Sequence, residues 1–218
     1  VLNNPESKFY KQLAAAYDKA GFHYMGMLQN GTFRLATANT NLKDLDAYKG
    51  LKIRTMSNKN HMAFWTAIGA EPTPLAFSEL YFALQSGTVN AEENAVDTIV
   101  TMNFNEVQKS LAPTNHVLYT NQLAMNKKAY ESLDPAYQKA LNQAVSEALK
   151  ELAPKLGEID KQNKETLEKK GMTIIKYDKS FYDQVLALDS VKALYKDINS
   201  QINGIGDVLM QELDAAAK

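Results

Sequence analysis

At 218 residues, 45% hydrophobic and 22% charged, the chain is long enough to bury one large core or two smaller ones. Its 24 basic residues nearly cancel its 25 acidic ones, leaving a formal charge of -1, so no overall field recruits nucleic acid or an anionic membrane and any anion must be held locally. The lack of cysteine excludes disulfides, thiolate metal sites and cysteine nucleophiles, and no apolar run approaches the roughly 20 residues of a membrane-spanning helix.

The opening "VLNNPESKFY" has neither an initiator Met nor the apolar stretch of a signal peptide, so a processed or incomplete chain is expected. Residues 6–20 set Phe9, Leu13, Ala16, Tyr17 and Ala20 on one face with Gly21 as a stop, which predicts a helix. "FHYMGML" and "TFRLATA" then read as two strands around Asn30-Gly31, a hairpin turn signal. "LKIRTM", residues 51–56, predicts a short strand; Ser57 and Asn58, both good N-caps, lead into a helix bearing Met62, Trp65 and Ile68. The prolines of "EPTPL" hold an extended segment, Ser78 is expected to cap a helix with Leu80, Ala83 and Leu84, and Gly87 ends it. "TVNAEEN" follows as a short strand with a polar end.

From Asp134 the longest element begins, with Asp as N-cap, Pro135 at the first position and Leu141, Val145, Ala148, Leu149 and Leu152 on one stripe. It is expected to reach about Lys169, with a kink near residues 151–154 where Pro154 removes a backbone donor. "GMTIIKY" is a last strand, and amphipathic helices fill residues 179–217 with a break at "NGIG". The alternation of helix and strand signals predicts an α/β fold.

His23, His61 and His116 stand isolated, without a two-histidine helical spacing, so no metal site is expected, and His61 reads as a solvated side chain near a helix start. No G-x-S-x-G elbow, G-x-G-x-x-G turn or P-loop occurs, which removes the supports for acyl transfer through that elbow, dinucleotide binding and P-loop phosphoryl transfer. Glu92 and Glu93 are adjacent acids that invite a glycosidase reading, but neighbours on a strand face opposite sides and do not easily flank one bond. The plainer expectation is one solvated carboxylate and one in a structural hydrogen bond. Alternation puts Arg54 opposite in facing to Ile53, just before a helix N-terminus, where an anion would meet a guanidinium fork and backbone N–H groups; the competing reading is a surface arginine paired with an acid. Arg34 has a similar strand setting. Phe64, Trp65, Phe77, Tyr81 and Phe82 are core by default, with one or two available to line a pocket.

"KGLKIR" at 49–54, "GAEPTPLAFSELYFALQSGTVNAEEN" at 69–94, "NEVQKSLAPTNH" at 105–116 and "LAMNKKAYESL" at 123–133 occur in an order that resembles the substrate-binding proteins of tripartite ATP-independent periplasmic (TRAP) transporters. The resemblance covers nearly the whole chain and is most specific between Lys49 and His116. It implies an α/β, two-lobe periplasmic-binding-protein-like fold with a long kinked inter-lobe helix and one lobe incomplete: residues 1–31 and 120–158 in lobe I, residues 32–119 and 159–218 in lobe II. It implies no catalysis and no cofactor, but capture of a small organic acid in an inter-lobe cleft, hinge closure around it, and delivery to TRAP membrane subunits outside the cytoplasm by a protein that is a monomer when complete. Arg54 would bind the carboxylate bidentately, Asn94 and Arg34 would contact the substrate, Phe77 and Ser57 would line the cleft, and Asn121 or Gln122 would add a polar contact. Apart from the resemblance, Trp65 and Phe64 suggest an apolar wall of the site but read as readily as core.

The chain departs from the family pattern in having Asn90-Ala91 for Asp-Gly and Glu92 where Gln is often seen. The family's N-terminal segments have no counterpart ahead of Val1, so a proteolytic or engineered fragment is expected; the alternatives are a second chain carrying that part or a naturally short member. Rival readings of function are a ligand sensor for a signalling receptor, a hydrolase using Glu92 or Glu93, and a fragment that binds nothing.

Overall fold

The structure is a computed structural model in which residues 1–29 and 32–217 are described. Ser7 accepts a hydrogen bond from the Tyr10 N–H and starts α1 (Lys8–Lys19); Gly21, at φ 86°, turns the chain out of it. β1 (Phe22–Leu28) and β2 (Phe33–Ala38) follow, then β3 (Lys52–Thr55). Asn58, rather than Ser57, caps α2 (Lys59–Ala67) by accepting from the N–H groups of Asn60 and His61. β4 (Glu71–Pro74) leads through a 3-10 turn at Phe77–Glu79 into α3 (Leu80–Gln85). Ser78 sits inside that turn and caps nothing, because Glu79 is already helical and no extended N-cap residue remains for a hydroxyl to bridge. The chain continues through β5 (Ala91–Asn94), α4 (Val96–Thr101), β6 (Ser110–Leu118), β7 (Asn121–Asn126) and α5 (Lys127–Glu131). Asp134 accepts from the Ala136 N–H at 2.9 Å and Pro135 opens α6 (Pro135–Lys169), 35 residues that run through Pro154. β8 (Thr173–Ile174), α7 (Lys179–Ala187), α8 (Asp189–Gln201) and α9 (Ile205–Ala216) complete the chain; Asn203 and Gly204, both at positive φ, break α8 from α9.

The chain divides into two compact units: Val1–Asn30, Thr120–Gly157 and Asn199–Lys218 in the first, Gly31–Tyr119 and Glu158–Ile198 in the second. In the first, β1 and β7 pair antiparallel, from Phe22 opposite Asn126 to Leu28 opposite Asn121. Phe9, Tyr24 and Met27 are buried there among Leu13, Tyr17, Ile205, Val208 and Leu209. The Glu212 carboxylate accepts from the Lys8 and Phe9 N–H groups at 2.8 and 2.9 Å, placing an anion at the N-terminus of α1. These contacts put residues 199–218 in this unit, and not with residues 159–198 as the sequence suggested. β1 and β2 also fail to form the expected hairpin, since β1 pairs with β7 while β2 pairs with β5 and β6. Five of the six β2 residues are buried, so this strand needs a partner on each side, which a two-stranded hairpin does not supply. The Asn30-Gly31 turn itself lies outside the described residues.

The second unit is built on a six-stranded sheet in the order β4-β3-β5-β2-β6-β8. β3 runs parallel to β4 and β5, β8 parallel to β6, and β2 antiparallel to β5 and β6. Side chains alternate between two cores: Ala36, Tyr48, Ile53, Trp65 and Phe181 in one, Leu35, Leu80, Ile99, Phe104 and Leu167 in the other. Because neighbours Leu35 and Ala36 fall in different cores, the sheet is covered on both faces.

Trp65 is fully buried in the first of these cores, which fits its reading as core and not as a pocket wall. Trp65→Ala is expected to destabilise the second unit by about 3–5 kcal/mol in urea unfolding followed by circular dichroism, while Phe82→Ala, at a site 72% exposed, changes stability by less than about 0.5 kcal/mol. Equal effects of the two substitutions would contradict this core.

Candidate functional site

The central strands of the second unit gather the charged side chains of the chain's interior. β2 contributes Arg34 and Thr37, β3 Arg54, β5 Glu92, Glu93 and Asn94, and β6 His116. Arg54 and Glu92 are register partners on neighbouring parallel strands, and Thr37 is opposite Glu92 across the antiparallel pair. All seven residues except His116 are less than 10% exposed as whole residues, and the His116 side chain is itself fully covered.

Glu93 and Arg34 form the tightest contact. Arg34 Nε donates to Glu93 Oε2 at 2.5 Å and Nη2 to Oε1 at 2.9 Å, while Nη2 also reaches the Glu93 carbonyl at 2.8 Å and Asn94 Oδ1 at 3.0 Å. His116 Nε2 lies 3.0 Å from Glu93 Oε2 and its Nδ1 2.9 Å from Thr114 Oγ1. Burial pushes the His116 pKa down against the pull of Glu93, so the ring is neutral; as the Nε2–H tautomer it donates to Glu93 and accepts from Thr114. His61 Nδ1, buried and without a hydrogen bond, is 3.7 Å from Glu93 Oε1. Burial alone would raise the Glu93 pKa; hydrogen bonds from His116 and Arg34, the Arg34 charge and the nearby His61 ring overcome it and hold the carboxyl well below its usual range.

Glu92, on the other side of β5, has a different environment. Thr37 Oγ1 is 2.7 Å from Oε1, and Asn94 Nδ2 donates to Oε2 at 2.7 Å. These bonds and the Arg34 charge do not offset full burial beside Glu93, and the carboxyl is pushed up from its ordinary 4.5 to about 7. Neither acid is solvated, contrary to expectation: the doubly covered sheet leaves no wet face for either.

Arg54 donates through Nε at 3.0 Å and Nη2 at 2.7 Å to a single acceptor, the Leu75 carbonyl. Its guanidinium carbon is 5.8 Å from the centre of the Phe77 ring, which is 42% exposed. Among the described residues it forms no ion pair and no hydrogen bond through Nη1, so the surface-pair reading does not hold. Burial lowers its pKa and the charges of Glu92 and Glu93 raise it. One edge of the fork is fixed on protein and the other is uncommitted, a geometry suited to an anion.

The structure therefore brings together Arg54, Arg34, Asn94 and Phe77. Ser57 is exposed between β3 and α2, and Trp65 lies beneath, in the core. Asn121 and Gln122 are exposed on β7 of the first unit, where the Tyr17 hydroxyl is 3.3 Å from Gln122 Oε1. Sequence reasoning gave no site role to Thr37, Gln108, His61 or His116 and gave Glu92 and Glu93 a role only in the rival hydrolase reading. The available signal was two acids inside a short strand, which become an electrostatic feature only once both faces of that strand are known to be covered.

Glu93→Gln leaves Arg34 buried without its counter-charge and is expected to cost about 3–5 kcal/mol in chemical unfolding; a loss within about 0.5 kcal/mol would show that solvent compensates the arginine. For Glu92 the pH dependence has the opposite sign to an ordinary ion pair. Unfolded, the carboxyl ionises near 4.5; folded, it keeps its proton to about 7, so folding takes up a proton between those values and stability falls as pH rises through them. The melting temperature of the native protein is expected to fall relative to Glu92→Gln across that window, and parallel curves would show that Glu92 does not titrate there.

Residues 4–201 match the family described as bacterial extracellular solute-binding protein, family 7. A solute-binding protein of Verminephrobacter eiseniae is 35% identical over 197 residues, covering 90% of this chain and 57% of its own length. The sialic acid-binding periplasmic protein SiaP of Vibrio cholerae is 32% identical over 176 residues, 79% of this chain and 52% of its own. Among solved structures, a TRAP periplasmic solute-binding protein of Desulfovibrio salexigens with bound orotic acid superposes with a TM-score of 0.84 at 28% identity, covering 97% of this chain and 67% of that one. The chain thus spans about half the length of the curated relatives it matches. With the ordered motifs, the α/β fold and these matches in agreement, the chain belongs to the family 7 extracellular solute-binding proteins, the substrate-binding proteins of TRAP transporters.

Proposed function

We propose that the protein is an extracytoplasmic solute receptor that holds a small organic acid by its carboxylate on Arg54 and delivers it to TRAP-type membrane subunits. The observation that carries this reading is the buried Arg54 guanidinium, anchored through Nε and Nη2 on the Leu75 carbonyl with no acid of its own. A planar fork in a site shielded from water gains much more from a carboxylate than an exposed arginine does. Asn94 supports the same role: one Nδ2 hydrogen is committed to Glu92, and the second is available to a ligand oxygen. Arg34, engaged on Glu93 and Asn94, acts chiefly by fixing those two groups, and Phe77 supplies an apolar face against Arg54.

Family membership favours binding over catalysis, and the ligands named for the two relatives, sialic acid and orotic acid, each carry one carboxyl group. The periplasmic setting named for the same relatives supports an extracytoplasmic location, and none of the described helices is long and apolar enough to cross a membrane.

Arg54→Lys replaces a planar two-point donor with a single ammonium and is expected to weaken carboxylate binding by more than about tenfold in calorimetric titration with orotate, N-acetylneuraminate and related acids. Undiminished affinity would remove Arg54 from the site. A native mass spectrum of freshly purified protein is expected to carry an adduct with the mass of a small organic acid.

A further inference from the structure

Glu92 lies on β5 with its carboxyl between Thr37 and Asn94. It is fully buried, and its hydrogen-bond geometry is short of one hydrogen when the carboxyl is ionised. The Gln108 amide is oriented by its NH2 group, which donates to the Val107 carbonyl at 2.7 Å and to Asn39 Oδ1 at 3.3 Å. That orientation turns Gln108 Oε1, an acceptor, toward Thr37 Oγ1 at 3.3 Å, while Glu92 Oε1 lies 2.7 Å from the same hydroxyl. Thr37 has a single hydroxyl hydrogen for two acceptors. A proton on Glu92 Oε1 resolves the shortage: the acid donates to Thr37, Thr37 donates to Gln108, and Oε2 still accepts from Asn94.

Charge counting points the same way. The groups that face Glu92 are Arg34 from β2, Arg54 from β3 and Glu93 from its own strand, with His116 of β6 and His61 of α2 reaching it only through Glu93. With both acids ionised, the two guanidiniums are balanced in number by Glu92 and Glu93, although Arg54 is in contact with neither. A carboxylate arriving at Arg54 would then add an uncompensated negative charge to a water-poor site.

Building on the carboxylate reading above, we propose that Glu92 is a proton-carrying specificity residue: ligand capture at Arg54 requires the proton on Glu92 Oε1, taken up from solvent wherever the free protein has lost it, and the charge balance this creates selects monocarboxylates over dicarboxylates. Protonation removes one negative charge and the ligand restores one. A dianion overshoots by one, and no further cation among the groups named above answers it. Glu92→Gln mimics the neutral acid permanently, because its NH2 group can donate to Thr37 while its oxygen accepts from Asn94.

The test is calorimetric titration of the protein and of Glu92→Gln with orotate, N-acetylneuraminate and succinate at about pH 6 and about pH 8, in two buffers of different ionisation enthalpy. For the native protein, orotate or N-acetylneuraminate affinity should fall about tenfold across that range, with net proton uptake at about pH 8 and little at about pH 6, and succinate should bind more weakly; Glu92→Gln should bind equally at both pH values with no proton uptake. The same pH dependence in both proteins, or tightest binding of succinate, would overturn the proposal. A second readout needs no ligand: with carboxyl-13C-labelled glutamate, one resonance that is missing from Glu92→Gln should titrate near neutrality. If every glutamate titrates in the ordinary acidic range, the proton on Glu92 is refuted whatever binds. If Glu92 titrates near neutrality but none of the acids binds, the carboxylate reading fails, the ligand coupling fails with it, and only the proton assignment stands.

Discussion

The second unit is organised around one buried ion pair, Arg34 with Glu93. Two strands that are neighbours in the sheet but about 60 positions apart in the chain are joined by a two-point salt bridge, to which β6 adds His116. Desolvating these charges is costly, and a well-packed apolar pair could serve stability as well. What the pair provides is definition. An Arg–carboxylate fork has one good geometry, so it fixes the side-chain positions of Glu93 and Asn94 and, by hydrogen bond from Asn94, that of Glu92.

This arrangement leaves Arg54 distinct from Arg34, although both lie on central strands and both are buried. Arg34 has its carboxylate from within the protein. Arg54 has a carbonyl, an aromatic ring and the field of two acids, neither within ion-pair distance. A buried guanidinium without a direct ion-pair partner is unfavourable in isolation, and burial shields it from the water and salt that would screen a surface arginine. The two glutamates show how far environment separates chemically identical neighbours: hydrogen-bond donors and a cation keep Glu93 charged, while Glu92, with weaker support, holds a proton near neutral pH.

Away from the site the two units rest on separate cores. The first depends on packing between α1 and α9 and on Glu212 at the start of α1, the second on a sheet covered on both faces. Covering both faces makes β5 unable to expose either glutamate, so the polar chemistry of the second unit is a direct result of its layering.

Much of this was legible in the sequence for local reasons. Helix limits follow from Asn58, Asp134, Pro135 and Gly21, whose effects act within a few residues, and the ordered motifs from Lys49 to His116 identified the family and drew attention to Arg54 and Asn94. Strand partners and the unit to which α9 belongs were not legible, because each is set by residues far away along the chain. The same holds for Glu92 and Glu93. Sequence determined that two acids would alternate across a strand; only tertiary structure decided that both sides of that strand are dry, since burial depends on what the rest of the chain lays over it.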